Sequence, residues 1–416
     1  MVLGKTNLHE LALEGLTVSS LGGQTINPYD STRTPGGSSG GTGAAIAASF
    51  AVLGTGSDTV NSLRSPASAN GLVSCRPTRG LISRSGVVPI SHTQDAVGPI
   101  GRCVEDVAIA LSVMAGVGRD EADNATALVP AGIQGTDYAR KVGSGSLRGL
   151  RLGVLEGFFN RTESEETTPV NEVMDAMIRK METAGAIIVP VTDGVYNATA
   201  ILATHDVQEY EYRQNMDEYL QQADLGGRHP KTLNELYDRG AGRFLVIPNQ
   251  YDRVKTALVS STDNAISETH VSYATAQQRI HNLTATLRET FTQNNLDAII
   301  YPQQKNLVVK IGSASQWGRN GILAAVTGSP VVAVPAGFST SSDEAPVGVP
   351  IGMEILGQPW TEEKLLQITY QVQELGQVRR SPAWAETVVD IKSYTTVPSV
   401  TPDRNNVDAA YPLGRL

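Results

Sequence analysis

Cysteine is nearly missing from this 416-residue chain: Cys75 and Cys103 are the only two. Two thiols cannot build a disulfide framework, and their spacing matches no metal-binding pattern. Histidine is sparse as well. His205 beside Asp206, His229 and His270 fit no metal-ligand spacing, and surface or packing positions are the plainer reading. A basic excess is missing too. The formal net charge is −9, which argues against a general nucleic-acid or anionic-membrane surface. No apolar run approaches the length of a membrane span, no signal peptide is visible, and no internal repeat or low-complexity linker occurs. Four N-x-[ST] sequons, at Asn124, Asn160, Asn197 and Asn282, are about the number chance supplies. The remaining balance, 40% apolar and 18% charged, is that of an ordinary globular chain, long enough for one large domain or two smaller ones.

What stands out is residues 35–66. Gly36-Gly37-Ser38-Ser39-Gly40-Gly41 precedes a small-residue apolar run, Ala44 to Val52. Glycines supply unusual backbone angles and close approach, and a loop feeding a helix presents N–H groups to an anion. A second serine lies in Asp58-Thr59-Val60-Asn61-Ser62-Leu63-Arg64. Taken alone, such a loop is more often a solvated turn than a catalytic one. It lacks the G-K-[ST] ending of a phosphate-binding loop, and neither serine sits in a G-x-S-x-G elbow.

The order PGGSSGG, small-residue helix, G-S-D-T-x-x-S-L-R-x-P-A and then R-P-T-R-G resembles the amidase signature family. Later stretches extend the likeness: Thr93-Gln94-Asp95 to Gly98-Pro99, Gly328-Ser329-Pro330 to Phe338, and Val347 to Gly357. The resemblance implies a Ser–cis-Ser–Lys triad. Ser62 matches the nucleophile, and Ser38 the bridging serine after a cis peptide bond. The N–H groups of Thr59, Val60, Asn61 and Ser62 match the oxyanion hole, with Ser39, Asp58 and Arg64 in support. The family's lysine lies on an earlier strand. Here Lys5 is the only lysine before Ser38, and it falls in a Leu-Gly-Lys-Thr-Asn stretch that is structural in the family. The expectation is a chain truncated at its N-terminus, without the lysine segment. Val60 and Asn61 stand where the family usually has glycines, so their side chains narrow the space or add an amide contact to substrate.

The implied fold class is α/β: one domain over residues 1–416 with a large mixed central sheet covered by helices on both faces, its opening elements absent, and a surface tail over about 376–416. Along the chain, 1–7 reads as the end of a strand and Leu8–Leu16 as a short helix capped by Asn7. Val104–Ala115 reads as a helix ending at Gly116. Pro169 opens a helix capped by Thr168, whose methionines suit core packing better than a soft-metal site. Val207–Gln222 and a stretch from about Val271 read as helices. Leu225–Arg243 reads as loop and short helix, in the region where specificity is expected. Asp95 and Asp58 read as structural hydrogen-bonding residues rather than catalytic ones, and Arg64 as an anchor for the turn carrying Ser62.

The leading expectation is an amidohydrolase acting on a small carboxamide through a serine acyl-enzyme, with no metal or organic cofactor. The partner is a small-molecule amide, with no nucleic acid and no membrane span; a homo-oligomer stays open. A non-catalytic family member that lacks the lysine is the alternative, and so is the glutaminase-type subunit of a tRNA-dependent amidotransferase. The compartment, cytoplasmic or secreted, stays open.

Overall fold

The computed structural model describes residues 2–222, 229–237, 251–262 and 271–383. Two short strands, β1 (Val18–Ser19) and β2 (Gly23–Gln24), form a separate ribbon. The main sheet contains β3 (Leu53–Asp58), β4 (Val73–Arg76), β5 (Ala96–Gly101), β6 (Arg151–Leu155), β7 (Ile187–Val191), β8 (Ala298–Pro302), β9 (Val331–Phe338) and β10 (Pro350–Leu356). Among the described residues it has eight strands, in the order β3-β5-β4-β9-β10-β8-β6-β7. Pairing is antiparallel from β3 to β8 and parallel across β8, β6 and β7. The parallel β6–β7 pair requires a crossover, supplied by α4 (Thr168–Thr183).

The central strands β8, β9 and β10 are apolar on both sides, and their alternation sorts side chains into two cores. Ala298, Ile300, Val332, Val334, Met353 and Ile355 enter one. Ile299, Tyr301, Val331 and Leu356 enter the other. The first face is covered by α3 (Val104–Ala115), α4 and α11 (Glu362–Gly376). In α4 the first-turn proline fits where a donor would be unpaired anyway, and Val170, Met174, Met177 and Met181 bury one stripe. The second face is covered by α5 (Ala198–His205), α9 (Tyr273–Gln293) and α10 (Ile322–Thr327). The Ser272 hydroxyl caps α9 by accepting from Thr275 N at 3.2 Å. Two short helices, α1 (Gly40–Ala47) and α2 (Arg64–Ala69), follow the two serine loops and pack with Ile100 and Ala333. A satellite cluster joins α6 (Gln208–Leu220), α7 (Leu233–Tyr237) and α8 (Tyr251–Val259) to Leu13 and Ile90.

The N-terminal segment departs most from the sequence pattern. Residues 2–7 pair with no strand, and the helix expected over Leu8–Leu16 shrinks to a 3₁₀ turn at Glu10–Ala12. Leu11 and Ala12 have positive φ. Asn7 caps nothing, because distant partners take its side chain. It donates to Gly23 O at 3.1 Å and Thr25 Oγ1 at 2.9 Å, and accepts from Ser19 Oγ at 2.7 Å. Smaller shifts follow from local geometry: Thr167, not Thr168, precedes α4, and α1 begins at Gly40, ahead of the apolar run. Helix α5 had no separate signal in the sequence. His270, part of Leu225–Arg243 and the tail beyond residue 383 lie outside the described residues.

His9, wholly buried in the N-terminal segment, accepts from Val18 N through Nδ1 at 3.3 Å. Burial, helped by Arg253 and opposed by Glu14, lowers its pKa to about 4. The fold therefore prefers neutral His9. Its contribution to stability is intact above about pH 6.5 and declines as pH falls through that value, levelling off below about 4. The amplitude is about 3 kcal/mol. Urea midpoints at neutral pH and at about pH 5 should differ clearly less in His9→Asn than in the parent; equal pH sensitivity would contradict this account.

Candidate active site

Both serine loops are held from below by the N-terminal segment and by each other. The Gly37–Ser38 peptide is cis. Thr17 Oγ1 lies within hydrogen-bond distance of Gly36 O at 2.7 Å and Ser38 O at 3.2 Å, and receives Gly40 N at 3.0 Å. His9 N also donates to Ser38 O, at 2.9 Å. Glycine is required for this contact: a Cβ on Gly37 would stand 2.8 Å from the Gly15 carbonyl carbon and from Thr17 Oγ1, and one on Gly41 would strike the Asn7 backbone. Ser39 N donates to Ser62 O at 3.2 Å, which joins the two loops directly. Ser38 Oγ is buried with no hydrogen-bond partner among the described residues.

The second loop is organised by buried charge. Asp58, Arg64, Arg76 and Glu354 are all fully buried. Arg64 binds Asp58 through Nε at 3.0 Å and Nη2 at 3.1 Å, and Glu354 through Nη1 at 2.8 Å. Arg76 binds Asp58 Oδ1 at 2.8 Å. Burial acts to raise the Asp58 carboxyl, but Arg64 and Arg76 more than reverse it and hold the group below its ordinary value. Glu354, which shares Arg64 alone, is pushed up by burial. The same groups anchor the backbone. Arg76 donates to Asp58 O, Gln94 Nε2 to Thr59 O at 3.2 Å and Arg64 Nη2 to Val60 O at 2.6 Å. Ser65 N donates to Asn61 O at 2.8 Å.

Every carbonyl from Asp58 to Ser62 is thus engaged. By contrast, none of the N–H groups of Thr59, Val60, Asn61 and Ser62 donates to a described residue. Asn61 is 1% exposed and its Nδ2 has no partner among the described residues. These four residues line a cavity of about 160 Å³ together with Glu14, Asp206, Arg253 and Arg319. A larger cavity, about 560 Å³, meets it at Ala12 and Thr59. The arrangement offers consecutive backbone donors, a side-chain amide and a serine hydroxyl to a small polar molecule.

The chain matches the Amidase family model over residues 1–366. It belongs to the amidase family. Its enzyme class is therefore that of amide carbon–nitrogen hydrolases. The chain is 30% identical to a glutamyl-tRNA(Gln) amidotransferase subunit of Alkaliphilus metalliredigens (strain QYMF), over 93% of its own length and 76% of that protein. The native peptide amidase of Stenotrophomonas maltophilia superposes with a TM-score of 0.74 at 30% identity, over 93% and 76% of the two chains. The corresponding amidotransferase subunit of Thermotoga maritima gives 0.66 at 26% identity, over 90% and 73%.

In this amidase, sequence expectation and geometry meet at Asp58 and Arg64, which tie down the turn. Asp95 accepts from Thr59 Oγ1 at 2.6 Å and from Ile90 N and Ser91 N, so its contacts hold the loop. Burial pushes its carboxyl up, against those three donors. Lys5 is exposed. His205 pairs with Thr204 and His229 with Leu220 O, so no His–Asp relay forms there. Sequence reading missed Thr17, Arg76, Gln94 and Glu354 as partners of the loops. Arg76 and Gln94 lay inside matched motifs. Glu354 also lay inside a matched stretch, Val347 to Gly357, whereas Thr17 carried no local signal.

Replacing Arg64 with Met would leave Asp58 with one guanidinium and Glu354 with none. Breaking a buried pair from one side costs about 3–5 kcal/mol, so Arg64→Met should lower the unfolding free energy by that order. Adding Glu354→Gln should recover part of the loss in the same urea titration.

Proposed function

We propose that the chain hydrolyses the carbon–nitrogen bond of a small carboxamide through an ester formed on Ser62. The observation that carries this reading is the run of four undonated N–H groups at Thr59–Ser62, on a loop whose carbonyls are all tied back. Preorganised donors of this kind stabilise the negative oxygen of a tetrahedral intermediate, and losing one typically costs about 10²–10³ in rate. Ser62 Oγ attacks the carbonyl carbon while its proton passes to Ser38. The Ser38 proton moves to a base and from there to the departing nitrogen as the C–N bond breaks. Water then attacks the ester, releasing the acid and returning a proton to Ser62.

The base is a lysine in the resembled triad. No described residue hydrogen-bonds Ser38 Oγ to play that part. That observation favours a second reading, in which this chain keeps the fold and cavity but binds rather than turns over its ligand. The relatives that are glutamyl-tRNA(Gln) amidotransferase subunits support a third, a glutaminase-type subunit that works with a tRNA-binding partner.

A fluorophosphonate probe should label the chain, and mass spectrometry should place the adduct on Ser62. Ser62→Ala should abolish labelling, whereas unchanged labelling in that variant would remove Ser62 as the nucleophile. Labelling without turnover of an amide panel would favour the second reading.

A further inference from the structure

The cavity that contains Ser62 also contains two guanidiniums on one carboxylate. Arg253 Nη2 lies 3.2 Å from Glu14 Oε2, and Arg319 Nη1 lies 3.3 Å from Glu14 Oε1. Glu14 accepts in addition from Gly15 N at 2.8 Å, Ser315 Oγ at 3.0 Å and Gln316 N at 3.3 Å. A carboxylate has about four lone-pair sites, so these three donors together with the two arginine contacts saturate Glu14, and it can take no further N–H from either guanidinium. Burial acts to raise its carboxyl, but Arg319, Arg253 and the Gly15 N–H outweigh that and hold it down at about 2. Each guanidinium carries five N–H donors. Glu14 is the carboxylate that both arginines contact directly, and Arg253 also acts at longer range on Asp206. The side chains are 14% exposed at Arg319 and 41% exposed at Arg253. Arg253, Arg319 and Glu14 together carry one positive charge in excess, with spare donors at the cavity wall, which Asp206 and Glu209 also line.

A second, independent observation points to the same kind of ligand. Asn61 is 1% exposed and lines the cavity, yet its Nδ2 meets no acceptor among the described residues. A buried amide donor left unpaired is costly, and a ligand oxygen would satisfy it. The acidic groups of the cavity are differently placed. Asp206 already accepts from Gln208 N at 3.1 Å and Gln208 Nε2 at 2.7 Å, and burial raises its carboxyl. Glu209 is exposed. The part around Ser62, about 160 Å³ and met by the larger cavity at Ala12 and Thr59, has room for a short-chain compound.

We propose that this cavity selects amides whose acyl part ends in a carboxylate, the mono-amides of short dicarboxylic acids. Arg319 and Arg253 take the carboxylate, and Asn61 Nδ2 donates to an oxygen of the substrate. A guanidinium fork suits a carboxylate better than a point charge does. This names the substrate class for the Ser62 reading and rests on it, but recognition can be measured without chemistry.

The test uses calorimetric titration of the Ser62→Ala chain with three ligands of similar size: succinamate, neutral succinamide and cationic 3-aminopropanamide. Succinamate should bind about tenfold or more tightly than succinamide, the scale of one partly buried ion pair. Arg319→Gln should erase that margin, and Arg319→Lys should restore part of it. Arg253→Gln, at the more exposed position, should reduce the margin and guards against a folding defect at Arg319. Equal binding of the three ligands, tightest binding of 3-aminopropanamide, no binding of any, or a margin that survives both Gln variants would overturn the proposal. Because Ser62 is already absent, a failed fluorophosphonate experiment leaves this titration untouched, and the reverse also holds.

Discussion

Asp58 is the residue on which the site depends. A carboxylate with no exposed surface needs counter-charge, and it takes two guanidiniums, Arg64 and Arg76. Those cations are buried in turn, so their remaining donors must find acceptors. Arg64 finds Glu354 on β10, the Val60 carbonyl and the Gly321 carbonyl before α10. Arg76 finds the carbonyls of Asp58 and Gln94, while its Nε meets no acceptor among the described residues. Satisfying buried charge thereby fixes the path of the backbone through Ser62. The peptide planes that follow leave their N–H sides unclaimed. Replacing such a network with well-packed apolar residues is often neutral or stabilising. Its role here is the orientation of the loop.

A second layer surrounds that loop. Thr59 is held through its hydroxyl by Asp95 and through its carbonyl by Gln94, whose Oε1 also accepts from Val207 N ahead of α6 at 2.8 Å. Glu211 on α6 accepts from Ser91, Thr93 and Tyr273. The helices beside the cavity therefore share hydrogen bonds with the segment that supports Thr59, and their packing bears on its position.

Part of the sheet was legible through the matched stretches Gly328 to Phe338 and Val347 to Gly357, which hold β9 and β10. Val104–Ala115, Pro350–Leu356 and the stripe from Val170 to Met181 show the expected periods. The two serine loops were legible as motifs, and Asp58 and Arg64 are near neighbours in sequence. Other parts were hidden for a shared reason. Asn7 looks like a helix cap but spends its hydrogen bonds on Gly23, Thr25 and Ser19. Glu354 looks like the one polar residue of a strand, yet it faces Arg64, 290 positions earlier. The Glu14 pair with Arg253 and Arg319 likewise joins three distant segments. Local pattern carries no information about such partners until the sheet brings them together.

The bond from Ser39 N to Ser62 O and the carbonyl contacts along Asp58–Asn61 have a practical corollary. The loop through Ser62 is tied back along its length. The ion pairs that shape it also fasten α2 to β10, so it cannot come loose while the surrounding core stays intact. Heating should therefore erase the shape of this loop and the packing of the sheet in a single step.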